Sequence, residues 1–411
     1  MRVLLLNQVF MPDTVATALH VTDLAMELRQ EGYDVTVVAD RREYNNRKRR
    51  YPARETVHGI EIHRVFSTGF GKRNIVTRLC DAISFLLSAV WKLLWLERHD
   101  VLIVFTSPPM IGVLGVILAR LRGERCIQWL MDLNPHTAVE VGYLRPNSLA
   151  TRFLYFLFNF SVRASDHIVV LDRWMEKRVC KHGATPEKIS IVPPWPVQAQ
   201  ETSVGLKKNP FSQKYGLQNK FVVCYSGNHS IAHPLDTVLQ AAKLLQADPE
   251  VLFLFIGTGL RVKDVSEFVD KNNLTNVLQV PHQPLEMLRH SLSTADVHLV
   301  VMGSGVKGLV HPSKIYGVLA TAKPYIFIGP EESHVTDLMA DFPGGFHVEH
   351  GSPDKLVGII HQLKGQSESE LSLLARGNPD SVFSRFSKEK IIRVFSKEVL
   401  RARLSMSEAN S

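Results

Sequence analysis

Three short stretches of this sequence combine residue types suited to handling anions. Ser313 and Lys314 precede Ile315 and an apolar run of helical spacing in Leu309-Val310-His311-Pro312-Ser313-Lys314-Ile315-Tyr316. Serine is a preferred helix cap, and the positive helix end with a lysine beside it would present a potential suited to a diphosphate. Gly227, with Asn228 and His229 after it, closes the apolar run Phe221 to Tyr225, and Gly257 and Gly259 close Val251 to Ile256. Glycine at the carboxyl end of a strand lets backbone N–H groups approach a diphosphate closely. Either turn alone occurs in any α/β protein; their succession in one sheet is what singles them out. Asp132 and His136 follow another apolar run, Cys126 to Leu130, although a lone Asp there also serves as a turn residue or helix cap.

No acidic metal-ligand cluster such as Asp-x-Asp is present, and Cys80, Cys126, Cys180 and Cys224 are too scattered for a zinc site or a disulfide framework. We therefore expect no bound metal, no cofactor and a reducing, cytoplasmic setting. The apolar run after Met1 is too short for a signal peptide and reads as a buried first strand.

Positioning these groups requires parallel sheets. Short apolar runs alternate with helical patterns throughout: Val3 to Leu6, a helix Ala18 to Gln30, Val35 to Ala39, then Val101 to Phe105, Cys126 to Leu130, His167 to Leu171 and Ile189 to Val192. Six or so parallel strands make one doubly wound domain. Val192-Pro193-Pro194-Trp195-Pro196 and the polar stretch Gln198 to Lys208 interrupt the pattern. It restarts with Phe221 to Tyr225, Val251 to Ile256, Val277 to Val280, Val297 to Val301 and Tyr325 to Ile328, with helices expected near Pro234 to Leu245, Val262 to Asn272 and Lys314 to Leu319. The fold class is thus α/β with two Rossmann-like domains. We bound them at 1–197 and 198–384, with an amphipathic helix near 385–402 and a flexible tail at 403–411.

At 411 residues, 45% hydrophobic and mean hydropathy near zero, the chain is neither a disordered nor a multi-span membrane protein. The formal charge of +8 is uneven, +7 over residues 1–196 and +1 over 197–411. The basic half therefore meets an anionic partner, and the run Arg41 to Arg50 is a candidate contact or else a solvated loop. Two uncharged stretches, Ala82 to Trp91 and Phe153 to Val162, are too short to cross a bilayer. The first, in a helix with Ser84, Ser88 and Lys92 in a polar stripe and Lys72, Arg73 and Arg78 upstream, either packs internally or lies in a membrane interface. No recognition helix or RNA-binding signature is present, so nucleic acid is not expected.

These segments together resemble family 4 (GT4) glycosyltransferases of GT-B fold, from Val3 to about Phe395. The strand-to-loop Phe221 to His229 with His233-Pro234-Leu235-Asp236-Thr237, the Gly257-Thr258-Gly259 turn and Val277 to Pro284 with Pro281 and His282 are similar to the family's donor domain. His311-Pro312-Ser313-Lys314 resembles a Pro-Ser-Lys variant found in polysaccharide-assembling members, including those of colanic acid biosynthesis. Asp13 and the following loop with Ala16, Thr17 and Ala18, up to His20, resemble the loop after the first strand, which approaches donor phosphate and acceptor. Met131-Asp132-Leu133-Asn134-Pro135-His136 resembles the segment whose Asp or His faces the interdomain cleft; Asp132, and secondarily His136, would contact sugar or acceptor hydroxyl. Ala164 to Asp172 and Gly183 to Pro194 resemble the lead into the linker.

The resemblance implies a retaining transfer from a nucleotide-diphosphate sugar to a hydroxyl of an oligosaccharide, one linked to polyprenyl diphosphate, with the basic first domain against an anionic membrane at the inner leaflet and the last helix crossing back. There are departures. The family's Glu-x7-Glu pair falls on Leu309 and Gly317, the Arg and Lys that grip the diphosphate are replaced by Asn228, His229, Ser230 and His233, and Ala16 and Ala18 stand where glycine is common. These leave two alternatives open: a nucleotide-sugar-binding protein without catalysis in an assembly complex, or a GT-B sugar-nucleotide epimerase, for which Asp132 and His136 would shuttle protons.

Overall fold

Runs of Val, Ile, Leu and Phe that are apolar on both faces fold as the centres of two sheets, since only a strand covered on both sides buries every side chain. The computed structural model describes residues 1–71, 75–196, 209–374 and 384–401. The chain divides into two units: residues 1–197 with Gly308–His311 and 388–411, and residues 198–307 with 312–387.

The sheet of the first unit contains β1 (Arg2–Leu6), β2 (Asp34–Asp40), β3 (Arg54–Val57), β4 (Ile60–Val65), β5 (Val101–Val104), β6 (Arg125–Trp129), β7 (His167–Val170) and β8 (Ile189–Ile191). Its order is β3-β4-β2-β1-β5-β6-β7-β8, parallel except where β3 pairs antiparallel with β4. The hairpin is two strands more than the six expected. Its turn, His58–Gly59, has φ of 52° and 76°, the geometry of a two-residue hairpin. The sheet of the second unit contains β9 (Phe221–Ser226), β10 (Val251–Ile256), β11 (Val277–Val280), β12 (Val297–Val301), β13 (Tyr325–Ile328) and β14 (Gly345–Val348), ordered β11-β10-β9-β12-β13-β14 and all parallel. In both, the order reverses beside the first strand, and ligands of such sheets bind past the carboxyl edges at that switch point.

The chain's last helical stretch belongs to the first unit. Phe395 packs 4.8 Å from the Trp129 ring, Lys388 pairs with Glu27 at 3.3 Å, and the Ser396 hydroxyl donates to Glu31. Gly308–His311, expected in the second domain, also sits in the first unit. It is held there by an antiparallel bridge between Asp132 and Val310 and by Leu133 N–H donating to Leu309 O at 2.9 Å. The tail 403–411, the stretch Gln198 to Lys208 and the pair Lys72 and Arg73 lie outside the described residues. Among the described residues no helix is long and apolar enough to cross a membrane.

Candidate functional site

In the second unit β9 and β10 run into turns that lie against each other. Gly227, Gly257 and Gly259 have φ of 146°, 144° and 146°, a conformation side-chain-bearing residues rarely adopt. The cause is packing. A Cβ on Gly257 would overlap the Gly227 carbonyl oxygen, and one on Gly259 the His229 carbonyl oxygen. The expected supply of free amides is corrected for two of the three: Gly227 N–H donates to Ile256 O at 2.9 Å and Gly257 N–H to Val280 O at 3.0 Å. The glycines bring loops together, and the positive charge beside them comes from a side chain.

That side chain is Lys314. Its Nζ lies 3.1 Å from where a Gly227 Cβ would stand, donates to the Tyr225 hydroxyl at 2.8 Å and sits 4.0 Å from the Tyr225 ring centre. Tyr225 in turn donates to Asn228 O at 2.9 Å, tying Lys314 to the exposed Asn228 turn. Burial pulls the ammonium pKa down to about 7. An arriving dianion would restore the charge that burial suppresses. His229 and His233, expected to replace the missing gripping cations, are instead buried beneath the loop. Burial, reinforced by Lys314, lowers them to about 4 and about 3, so they are neutral and offer no charge.

Ser313 does not cap. Its backbone is already in the right-handed helical region (φ −56°, ψ −21°) and its hydroxyl accepts no helix N–H, because capping requires an extended residue. The Ile315 side chain is fully buried. Pro281 and His282 are exposed just past β11, where Gln283 Nε2 donates to Pro281 O at 2.7 Å.

In the first unit Asp132 lies three residues past β6, in the bridge with Val310. Burial lifts its carboxyl to about 6, with His311 opposing the rise. Beside it is a small cavity of about 20 Å³ lined by Phe105, Thr106, Gln128, Leu130 and Asn134, room for little more than a water. His311 Nδ1 and Asp172 Oδ2 are 2.7 Å apart and buried. The other Asp172 oxygen accepts from Trp174 N and Met175 N at 2.9 and 2.8 Å, capping the helix Arg173–Lys181. One carboxylate thus fixes both a helix end and an imidazole. His20, edge-on to Trp195 at 5.0 Å, is lowered to about 4 by burial and His311. Asp172, His311 and His20 escaped the sequence reading as site residues; the histidine two positions before Ser313 was the available signal.

His136 is not with this group. It opens the short helix His136–Glu140 and packs among Tyr155, Phe158 and His182 at 4.6, 4.9 and 4.1 Å. Burial lowers its pKa to about 3, which favours the neutral imidazole there.

Residues 16–195 match the glycosyl transferase 4-like domain. The probable glycosyltransferase WbjE of Pseudomonas aeruginosa is 26% identical over 295 residues, 72% of each chain. The putative colanic acid biosynthesis glycosyl transferase WcaI of Escherichia coli is 25% identical over 258 residues, 60% of this chain and 61% of its own. Residues 16–195 thus resemble a glycosyl transferase 4-like domain, and the chain is similar to glycosyltransferases over most of its length. Its fold is GT-B: Anabaena HepE, solved with UDP and glucose, superposes with a TM-score of 0.69 at 15% identity, covering 97% of this chain and 98% of that one. The sucrose-phosphate synthase of Thermosynechococcus elongatus superposes at 0.77 and 12% identity, covering 99% and 100%.

The loop after β1 is braced. Asp13 accepts from Tyr44 N at 2.9 Å and from the Tyr51 hydroxyl at 3.3 Å, and burial raises its pKa. The helix Ala16–Gln30 starts at Ala16, with Thr17 half-buried and Ala18 fully buried. The Arg41 to Arg50 run spends much of its charge internally. Arg47 pairs with Asp40 at 2.9 Å and Asp81 at 3.5 Å, and Arg42 donates to Ser67 O at 3.0 Å. Lys48, Arg49 and Arg50 remain exposed.

Proposed function

We propose that this enzyme moves a sugar, with retention of configuration, from a nucleotide-diphosphate sugar to a hydroxyl of a lipid-linked oligosaccharide in cell-surface polysaccharide assembly on the cytoplasmic side of a membrane. The observation that carries the reading is Lys314, a half-buried lysine whose ammonium is held by Tyr225 against the Gly227 turn. A diphosphate leaving group develops charge as the glycosidic bond breaks, and a preoriented cation in a water-poor setting stabilises that charge most. On this reading Lys314 serves where other enzymes use a metal, and the sugar nucleotide is substrate, with no cofactor. Asp132 orients the acceptor or stabilises positive charge at the anomeric carbon. Support for the donor class comes from HepE, solved with UDP-glucose, and for the pathway from relatives named for colanic acid and lipopolysaccharide biosynthesis.

The non-catalytic alternative has one observation in its favour: the acidic pair falls on a buried Leu309 and on Gly317. A panel of UDP- and GDP-sugars separates the two. A cognate donor at 100 times its dissociation constant should stabilise the fold by about 2.7 kcal/mol. Slow donor hydrolysis that disappears in Lys314→Ala supports the transferase, whereas tight binding without turnover on any acceptor or water would replace it with the sensor.

A further inference from the structure

The largest feature outside the site is an apolar surface on the first unit. Its helices Ile75–Trp95, Ile111–Arg122 and Leu149–Ala164 pack side by side, the first on the second and the second on the third. The inner face of the first helix is ordinary: Phe85, Ala89 and Leu93 are fully buried, and Asp81 accepts from Thr68 Oγ1, Phe70 N and Gly71 N. Ser84, part of the expected polar stripe, also turns inward, donating to Cys80 O and accepting from Thr68 N. The outer face is inverted relative to a soluble helix. Ile75, Leu79, Ile83, Leu87, Trp91 and Trp95, four residues apart throughout, are each more than half exposed. Leu121 continues the surface at 74% exposure, then Leu149, Phe153 and Phe156 on the third helix at 83, 60 and 65%. Contiguous exposed apolar area of this extent marks an interaction surface.

The charges say what covers it. The three helices hold six basic residues, Arg78, Lys92, Arg120, Arg122, Arg152 and Arg163, and a single acid, the buried Asp81. Between the second and third helices Arg120, Arg163, Phe156, Phe160 and Asn159 line an open hollow of about 370 Å³, and Asn159 Oδ1 is fixed by His182 Nδ1 at 2.9 Å. Arg122 is paired with Glu124, but apolar side chains interleaved with cations that outnumber the acids on these helices match a lipid bilayer bearing anionic headgroups, and paired tryptophans at one end of the stripe suit the headgroup boundary. A second copy of the chain would bring the same cations face to face.

We propose that this three-helix surface docks the enzyme on an anionic bilayer, apolar side chains entering the interface and the Arg120–Arg163 hollow receiving a lipid phosphate. The inference deepens the reading of a lipid-linked acceptor and rests on it for the membrane as partner. The test is co-sedimentation of the full chain with phosphatidylcholine vesicles with and without phosphatidylglycerol. The wild type should bind only the anionic vesicles, with binding that falls as salt rises. Leu87→Glu/Trp91→Glu should lose binding at least about tenfold, and Arg120→Glu/Arg163→Glu should lose the preference for anionic lipid. All these positions are exposed, so unchanged thermal melting identifies folded variants. UDP protection measured on the same samples tests the catalytic reading separately: docking without UDP binding would sink that reading alone. Wild type that ignores anionic vesicles, or variants that bind as it does, overturns the docking proposal. So does a wild-type dimer in light scattering that Leu87→Glu/Trp91→Glu makes monomeric, since that assigns the surface to a second copy.

Discussion

The two units start from the same plan, a parallel sheet whose strand order reverses next to its first strand, and they diverge in what burial does at the carboxyl edge and on the outer face. In the second unit burial acts on a base, drawing Lys314 down to about 7; in the first it acts on an acid, lifting Asp132 to about 6. Desolvation penalises the charged form whichever sign it has, so the shifts run in opposite directions from one cause. The outer faces differ as sharply. Exposed large apolar side chains crowd the helices of the first unit, whereas in the second they are single residues such as Leu244, Leu260 and Leu373. The first unit therefore has two surfaces to account for and the second has one.

The strongest way to break this comparison is to remove its two titrating groups. Lys314→Ala should lower the transfer rate by about 10²–10³, the loss that follows removal of one preorganised charge donor, while the fold persists because among the described residues Lys314 forms no ion pair and gives up only its hydrogen bond to Tyr225. Asp132→Asn should also slow transfer but leave UDP affinity near wild type. Equal loss of UDP affinity in both variants, measured by calorimetry, would show that the two units do not divide the labour as argued.

Gly257→Ala probes the scaffold beneath Lys314. Its Cβ would overlap the Gly227 carbonyl, and φ of 144° is unfavourable to alanine. A loss of about 2–3 kcal/mol is expected, read as a lower denaturant midpoint for the second unit with the first unit's transition unmoved. Coincident shifts in both transitions would mean that the units do not unfold separately.

Much of this was legible in the sequence for a physical reason. Strands such as Val251–Ile256 and Val297–Val301 are short, mostly apolar runs buried on both faces, and their limits, like those of the edge strand Val277–Val280, match the sequence reading residue for residue. The β3–β4 hairpin was not legible because Arg54-Glu55-Thr56-Val57 is an edge strand with one solvated side and carries no apolar run. The placement of Gly308–His311 with the first unit depends on Asp132 and Leu133, more than 170 positions earlier in the chain, a pairing that no local pattern encodes. For the site, residue types at strand ends were visible, but orientation was not. His229 points into the core, and His311 acquires its meaning only through Asp172.

The pH dependence sharpens the opposition further. On the proposed roles the free enzyme needs Asp132 ionised and Lys314 protonated, so kcat/KM should be bell-shaped with limbs at about 6 and about 7. Asp132→Asn should flatten the acid limb and Lys314→Ala the alkaline one. Stability follows the same shifts. The raised Asp132 pKa contributes stability that is full below its unfolded value of 3.8 and is lost as pH rises through about 6. The lowered Lys314 pKa contributes stability that is present above 10.5 and lost as pH falls through about 7. A flat profile between pH 5 and 8 would sink both assignments.

The smallest expected effect isolates Gly317, where the acidic pair's second member would fall. It lies inside the helix Lys314–Leu319, has no positive φ, and a Cβ there would meet nothing within 4 Å. Glycine inside a helix costs about 0.5–1 kcal/mol relative to alanine through backbone entropy. If nothing but that entropy acts here, Gly317→Ala should raise the stability of the second unit by that amount and leave transfer unchanged. If the open space above Gly317 is instead where donor sugar hydroxyls sit, the same methyl will raise KM for the donor while still stabilising the unliganded fold. Thermal melting and KM measured on one preparation therefore decide whether the missing carboxylate left an empty helix position or a binding surface.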